Sequence, residues 1–382
     1  MKQVIEFANK QNLYIEAHIA DIHFGVIDPK VQYQLLESQF LLYLEQMNVL
    51  DIVSINGDLF DHKFMASSEA VMYANYFIGR LVDICRKKRA TLILIAGTGS
   101  HDANQLNLFA YLMRDPTVDV RVIMNEVQFI YVKGKKILCI PELYNKGEEY
   151  YNSFLNSGVY DSCYMHGTFV GSIYGKNERD LGSEREPVFD IEDFGMCKGP
   201  IISGHVHVAG TYKGDFYYSG SPLRWCFGEE ETKGFLILVH QPSTRQYYIH
   251  MEPITSFQYV TVNLDHMLND DPKKVIDYVA DLKAQGIDFV RVKFTQNVAE
   301  KLNIIKQYYR TKPDIKIDTN FEQIKIQKEL DNLNTEYQQY DYLFDKNLSP
   351  EQILVQYINK DLKDEYWTVE SLKEFMQTIE RL

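Results

Sequence analysis

The sequence predicts an α/β protein in which sheets and helices are layered. Three observations carry that expectation. Short apolar, β-branched runs recur through the first two-thirds of the 382 residues. Each run stops at a turn containing Gly or Asp, and the stretches between runs have helical periodicity. The strands expected from the runs are Tyr14 to Ala20, Ile52 to Asn56, Thr91 to Ala96, Ile137 to Pro141, Ser162 to Met165 and Pro200 to Ser203. Val31 to Met47 reads as a helix with Leu35, Leu36, Phe40, Leu42 and Leu44 on one broad face, and Ser68 to Arg86 as another with Val71, Tyr76, Ile78, Leu81 and Val82. Asp215 to Trp225 and Gly234 to Met251 read as antiparallel strands that finish the sheets.

After Pro253 the texture changes. Phe257 to Leu264 and Phe289 to Phe294 alternate like strands, and Pro272 to Gln285 and Val298 to Tyr309 have helical spacing. From about Thr319 the chain becomes polar and helical. It closes with the amphipathic segments Ser349 to Ile358, with Pro350 in the first turn, and Thr368 to Ile379. The expected organisation is a large domain over 1–255, a small α/β unit over 256–318 and a helical segment over 319–382.

Composition narrows the class. With 45% hydrophobic and 24% charged residues the chain has the makeup of a globular protein. The N-terminal MKQVIEFANK lacks the basic start and apolar stretch of a signal peptide, and no apolar run approaches the roughly 18 residues of a membrane span. A cytoplasmic location with no membrane partner is expected. The five cysteines are an odd number with no C-x-x-C pair, which argues against a disulfide framework or zinc ribbon. A net charge of −13 argues against a nonspecific nucleic-acid binder. It leaves a nuclease open, because carboxylates loaded with divalent cation form a positive centre, and a partner can supply a basic surface.

The chemistry concentrates at the ends of the apolar runs. Asp21-Ile22-His23 follows the first run, and a carboxylate and an imidazole two residues apart on extended chain point the same way. Gly57-Asp58-Leu59-Phe60-Asp61-His62 follows the second, where Gly57 lets the chain bend and Asp58 can bridge two ions. Gly99-Ser100-His101-Asp102 follows the third, His166 the run from Ser162, and Gly204-His205-Val206-His207 the run from Ile201. All five fall at the C-terminal ends of expected strands, the edge where open α/β sheets place ligand sites. Carboxylates mixed with imidazoles suit two divalent metal ions, manganese first, with iron, zinc or magnesium as alternatives.

In this order the motifs resemble those of the calcineurin-like metallophosphoesterases, D-x-H, G-D-x-x-D, G-N-H-D/E, a single H and G-H-x-H, over roughly the first 210 residues. The wording around Gly57 to His62, the stretches Gly220 to Arg224 and Glu229 to Phe235, and the appended α/β unit and tail resemble the SbcD-type DNA-repair nucleases within that superfamily. The resemblance implies a four-layer sandwich of two sheets flanked by helices, with the small unit as a capping domain. It implies that Asp21, His23 and His207 hold a first metal, that Asp58 bridges, and that His166 and His205 hold the second. His101 would act on the leaving oxygen, oriented by Asp102, and His62 and Arg224 would line the substrate cleft. Ser100 stands where the family has an Asn ligand, which implies a weaker second metal.

The implied function is a metal-dependent DNA nuclease, partnered by an SbcC-like coiled-coil ATPase that docks on the helical tail, and paired as a homodimer through helices near the second and third motifs. A stand-alone phosphatase or phosphodiesterase suits the acidic charge, and Ser100 allows a catalytically weakened structural subunit.

Overall fold

The computed structural model describes residues 13–102, 104–172, 180–181, 186–229, 231–241, 246–295, 299–319, 348–361 and 367–373. In chain order the strands of the larger unit are β1 (Tyr14–Ile19), β2 (Ile52–Asn56), β3 (Thr91–Ile95), β4 (Asp119–Ile123), β5 (Gln128–Val132), β6 (Lys135–Ile140), β7 (Ser162–His166), β8 (Thr168–Phe169), β9 (Val188–Phe189), β10 (Ile201–Gly204), β11 (Gly210–Thr211), β12 (Phe216–Tyr218), β13 (Gly234–Gln241) and β14 (Gln246–Pro253). They build two six-stranded sheets, ordered β14-β13-β1-β2-β3-β4 and β11-β12-β10-β7-β6-β5, while β8 and β9 pair separately.

Strands β1 to β4 run parallel, and β13 lies antiparallel to both β1 and β14. In the second sheet β6, β7, β10 and β12 are parallel, with β5 and β11 antiparallel at the edges. Parallel strands are covered on both faces, so they read as continuous apolar runs. All five residues of β2 and of β3 are buried.

Helices flank the sheets. Helix α1 (Pro29–Leu36) starts at Asp28, whose carboxylate accepts the amides of Lys30 and Val31, and passes through a π-turn at Glu37–Leu41 into α2 (Leu42–Gln46). Helix α3 (Glu69–Lys88) is capped by Ser68, which accepts the Val71 amide, and ends at Arg89 in the left-handed region. Their apolar faces, including Leu36, Phe40, Phe77 and Leu81, pack on Val53, Ile55 and Phe235 of the first sheet. Between the sheets lie Ile52, Ile93 and Ile95 from one and Ile137, Tyr164 and Ile202 from the other. On the far side of the second sheet, Tyr151 and Leu155 of α4 (Glu148–Leu155) meet Leu138, Met165 and Ile201. Each such side chain contributes about 1.5–3 kcal/mol of burial.

Six strands escape the sequence reading, namely β4, β5, β8, β9, β11 and the later Ile315–Thr319. In β4, exposed Asp119 and Arg121 interrupt the apolar signal because β4 is an edge strand, and in β5 Gln128 and Tyr131 do the same. The expected antiparallel strand over Asp215 to Trp225 is antiparallel to β11 but shorter than expected. Only Phe216–Tyr218 is extended and it runs parallel to β10, after which the chain forms an irregular stretch through Trp225 and Glu229.

The second compact unit comprises Thr261–Ala284 and Val290–Leu382, with Gln285–Phe289 grouped with the first. Its sheet is ordered β15 (Tyr259–Asn263), β16 (Phe289–Phe294), β17 (Ile315–Thr319), with the last two parallel. Helices α5 (Asp265–Asp270), α6 (Pro272–Ala284) and α7 (Ala299–Tyr309) complete it, and Val275, Val279, Val290, Val292, Phe294, Leu302 and Ile305 are buried. Helix α8 (Pro350–Asp361) forms where the Ser349-Pro350 start places it. The polar stretch 320–347, and the expected closing helix beyond 373, lie outside the described residues. Among the described residues no helix is long and apolar enough to cross a membrane.

A polar knot sits between the two large sheets. Glu16 accepts the Tyr164 hydroxyl at 2.5 Å and Lys135 Nζ at 3.0 Å, and its Oε2 lies 3.1 Å from His18 Nε2. His18 Nδ1 is 2.6 Å from Ser54 Oγ. Serine, histidine and glutamate thus follow the order of a hydrolytic triad, but at 0%, 0% and 1% exposure no substrate reaches them and they are a packing device. Burial pushes the Glu16 carboxyl up, and Lys135 with the His18 and Tyr164 hydrogen bonds outweighs it, bringing it down to about 2. A depressed carboxylate stabilises the fold above its unfolded pKa near 4.5 and loses that contribution as pH falls toward about 2. Glu16→Gln should therefore cost on the order of 3 kcal/mol at pH 7 and much less at pH 3. Urea unfolding at the two pH values checks it, and an equal loss at both would refute the role.

Candidate metal centre

The parallel strands of both sheets deliver their C-terminal ends to one place. Asp21 and His23 follow β1, Asp58 follows β2, His166 ends β7 beside Gly204 of β10, and His205 and His207 come next. The chain leaves these strands by an unusual route. Asp21 (φ 51°), His23 (φ 50°), Asp58 (φ 52°) and His205 (φ 86°) all occupy the left-handed region, at a cost on the order of 1 kcal/mol each. Neighbouring hydrogen bonds hold them there, Asp21 N–H to the Gly57 carbonyl and His23 N–H to the Asp58 carbonyl, each at 3.0 Å. Two glycines permit the convergence. A Cβ on Gly57 (φ 89°) would stand 2.1 Å from His166 Nδ1, and one on Gly204 2.2 Å from the Asn56 carbonyl oxygen.

The side chains form one connected cluster. Asp21, His23 and His207 bring ligand atoms within 4.8 Å of one another, and so do Glu142, His166 and His205. Asp58 belongs to both sides, grouping with His23 and His101 and also with Asp21 and His166. On the first side His23 Nε2 faces His207 Nε2 at 3.2 Å and lies 3.8 Å from Asp58 Oδ2. On the second, His166 Nε2 is 3.4 Å from Asp58 Oδ2 and 3.5 Å from Glu142 Oε2, which lies 3.2 Å from His205 Nδ1. His166 Nδ1 donates to the Asn56 carbonyl at 2.8 Å, which fixes the tautomer and turns Nε2 toward the cluster. His205 N–H donates to Asp21 at 3.0 Å.

Imidazoles and carboxylates in this density fit a divalent cation of intermediate hardness. His23 Nδ1 is buried with no hydrogen-bond partner and lies 4.0 Å from Asp61 Oδ1. Buried His, Asp and Glu groups here could hold a metal ion. The electrostatics agree. Burial opposes the charge on Asp58, yet His166 and His23 hold its carboxyl well below the usual range. Burial opposes a proton on His166, and Asp58, Asp21 and Glu142 nevertheless raise its pKa well above the ordinary value. A protonated imidazole among carboxylates occupies the place a cation would take.

The expected residues divide into three groups. Asp21, His23, Asp58, His166, His205 and His207 come together, with His101 at the edge donating from Nδ1 to the Asp61 carbonyl. Asp102 does not orient His101. It is fully buried and accepts the Phe60 amide at 3.1 Å and the Gly97 amide at 2.9 Å, which ties the second motif to the third. Burial and the neighbouring Asp58 push its carboxyl up. Ser100 is exposed in a turn. Thr98 stands beside Asp58, its amide 2.7 Å from Asp58 Oδ1 and its hydroxyl 3.3 Å from both Asp58 Oδ2 and Glu142 Oε2.

His62 is exposed, paired with Asp61 and tilted against the Phe64 ring, and Arg224 bonds Ser256, Gln258 and the Glu231 carbonyl. Neither lines the cavity of about 290 Å³ over the cluster, which is walled by His23, Asp58, His101, His207, Trp225 and Glu229 among others. Glu142 is the residue the sequence reading missed. It directly follows Pro141 at the end of the β6 run, so the strand-end rule that found the others would have found it.

No family model matches the chain, and no curated protein matches it. Solved structures do match. One shares 11% identity over 62% of this chain and 98% of its own, at a TM-score of 0.35, a likeness too slight to carry an argument.

Removing Ser100 and removing Glu142 should separate. Ser100→Ala should leave manganese affinity within about twofold, and Glu142→Ala should weaken it about tenfold or more. Electron paramagnetic resonance of free manganese reads both, and the opposite order would show that the assignment of Glu142 is wrong.

Proposed function

We propose that the chain is a metal-dependent phosphodiesterase of the calcineurin-like type, with two divalent ions, manganese first, and that its substrate is DNA. The observation that carries this reading is Asp58, a buried carboxylate shared between two imidazole-rich ligand groups at converging strand ends. Two facing sheets with helices outside them agree with the four-layer sandwich of that superfamily. Bound there, divalent ions would supply Lewis-acid neutralisation of phosphoryl charge.

The chain's own residues do the rest. Asp21, His23 and His207 would hold one ion, Glu142, His166 and His205 the other, and Asp58 both. The Asp61 carbonyl fixes the His101 ring by Nδ1, leaving Nε2 to carry a proton for a leaving oxygen at the cavity wall. The net charge of −13 places the burden of DNA attraction on the loaded centre and on a partner. A coiled-coil ATPase docking on the C-terminal segment, and pairing of two copies, belong to the same reading. A small phosphoester is the second reading, favoured by that same acidity.

The deciding measurement sets linear duplex DNA beside a small phosphodiester, with manganese and with chelator. DNA cleavage that chelation abolishes is expected, and His101→Asn should lower kcat by about 10²–10⁴. Turnover of the small ester alone would favour the second reading, and turnover of neither would sink the proposal. Truncation after Thr319 should abolish capture by such an ATPase, and equal capture would remove the tail from the account.

A further inference from the structure

Glu229 belongs to none of the five motifs, yet it reaches the cluster through His207. It lies on the irregular stretch between β12 and β13, with its carboxylate 12% exposed. Oε1 stands 3.4 Å from His207 Nδ1 and 3.2 Å from Lys233 Nζ. Oε2 accepts the Trp225 amide at 2.6 Å and the Cys226 amide at 3.3 Å. Lys233, only 1% exposed at its side chain, anchors the group in turn through the His207 carbonyl at 3.1 Å, Ser221 Oγ at 2.9 Å and Glu231 at 2.5 Å.

An imidazole binds metal through a nitrogen that carries no proton. A carboxylate at the opposite nitrogen decides which one stays bare, aims the ring and raises its basicity. Glu229 stands at Nδ1 of His207, while Nε2 faces His23. The same carboxylate closes the turn whose residues Trp225, Cys226 and Glu229 wall the cavity. Two tasks therefore meet on one side chain.

We propose that Glu229 is the positioning residue for His207 and that, through it, filling of the His23–His207 side by a divalent cation and setting of the 225–229 cavity wall are one coupled event. This rests on the metal-centre reading above. With a cation on the His23–His207 side, the Nδ1 proton of His207 would become a stronger donor to Glu229, and the tightened carboxylate would hold the two amides of the turn.

The test is manganese binding to the full chain, read by electron paramagnetic resonance, for the wild type, Glu229→Gln, His207→Ala and the double variant. Glu229→Gln keeps size and one acceptor oxygen. It should weaken one class of bound manganese about 10- to 100-fold and spare the other. In the His207→Ala background it should have no further effect, because its influence runs through the imidazole, whereas a merely structural role would add to the loss. Manganese should also slow thiol labelling of exposed Cys226 in the wild type and not in Glu229→Gln. Unchanged affinity in Glu229→Gln, additive losses in the double variant, or labelling indifferent to manganese would overturn the proposal. A wild type that binds no manganese would instead overturn the metal centre, and the proposal with it.

Discussion

The hydrogen bond from His166 Nδ1 to the Asn56 carbonyl joins the C-terminal edges of the two large sheets. One partner ends β7 of the second sheet and the other ends β2 of the first. The cluster depends on this approach, because Asp58 follows Asn56 after Gly57 and His166 is its nearest imidazole. The approach depends on glycine at 57 and 204, where any side chain would strike His166 or Asn56 itself. Strain at Asp21, His23, Asp58 and His205 is a consequence of turning three strand ends into one small volume.

The rest of the unit supports that edge. Helices α1 to α3 cover the first sheet, α4 covers the second, and the core between the sheets carries the Glu16 knot as its polar exception. A buried carboxylate with three partners restricts how the sheets can slide, since a shift would leave Lys135 or Glu16 unpaired at a cost of several kcal/mol. Asp102 performs a similar task nearer the cluster by bridging the Phe60 and Gly97 amides. Its burial and double amide contact make it a structural clamp between two loops.

Charge within the centre is balanced by interleaving. Asp21, Asp58 and Glu142 alternate with His23, His166, His205 and His207, and each carboxylate has an imidazole or a backbone amide beside it. In this arrangement burial opposes protons on His166 and His207 but neighbouring carboxylates favour them, while burial disfavours one on His23. It also suits a cation, which displaces those protons. The neighbouring Glu229 and Lys233 pair extends this pattern outward to the cavity wall.

The sequence by itself determined most of the scaffold and six of the cluster's members. Buried parallel strands are mostly apolar, so β1, β2, β3, β6, β7 and β10 announce themselves despite Glu16, His18 and Ser54, and the polar residues just beyond them stand out. Edge strands β4 and β5 did not, since exposed Asp119, Arg121 and Tyr131 break their runs. Tertiary structure alone decided which residue fills a given place. Ser100 matches a motif by adjacency, but the turn at Gly99 carries it to the surface, and Thr98 stands at Asp58 instead, its hydroxyl also reaching Glu142, 44 residues further on. Spacing along a chain sets which side chains share a strand end, whereas their convergence is set by sheet packing, a long-range property that local pattern does not encode.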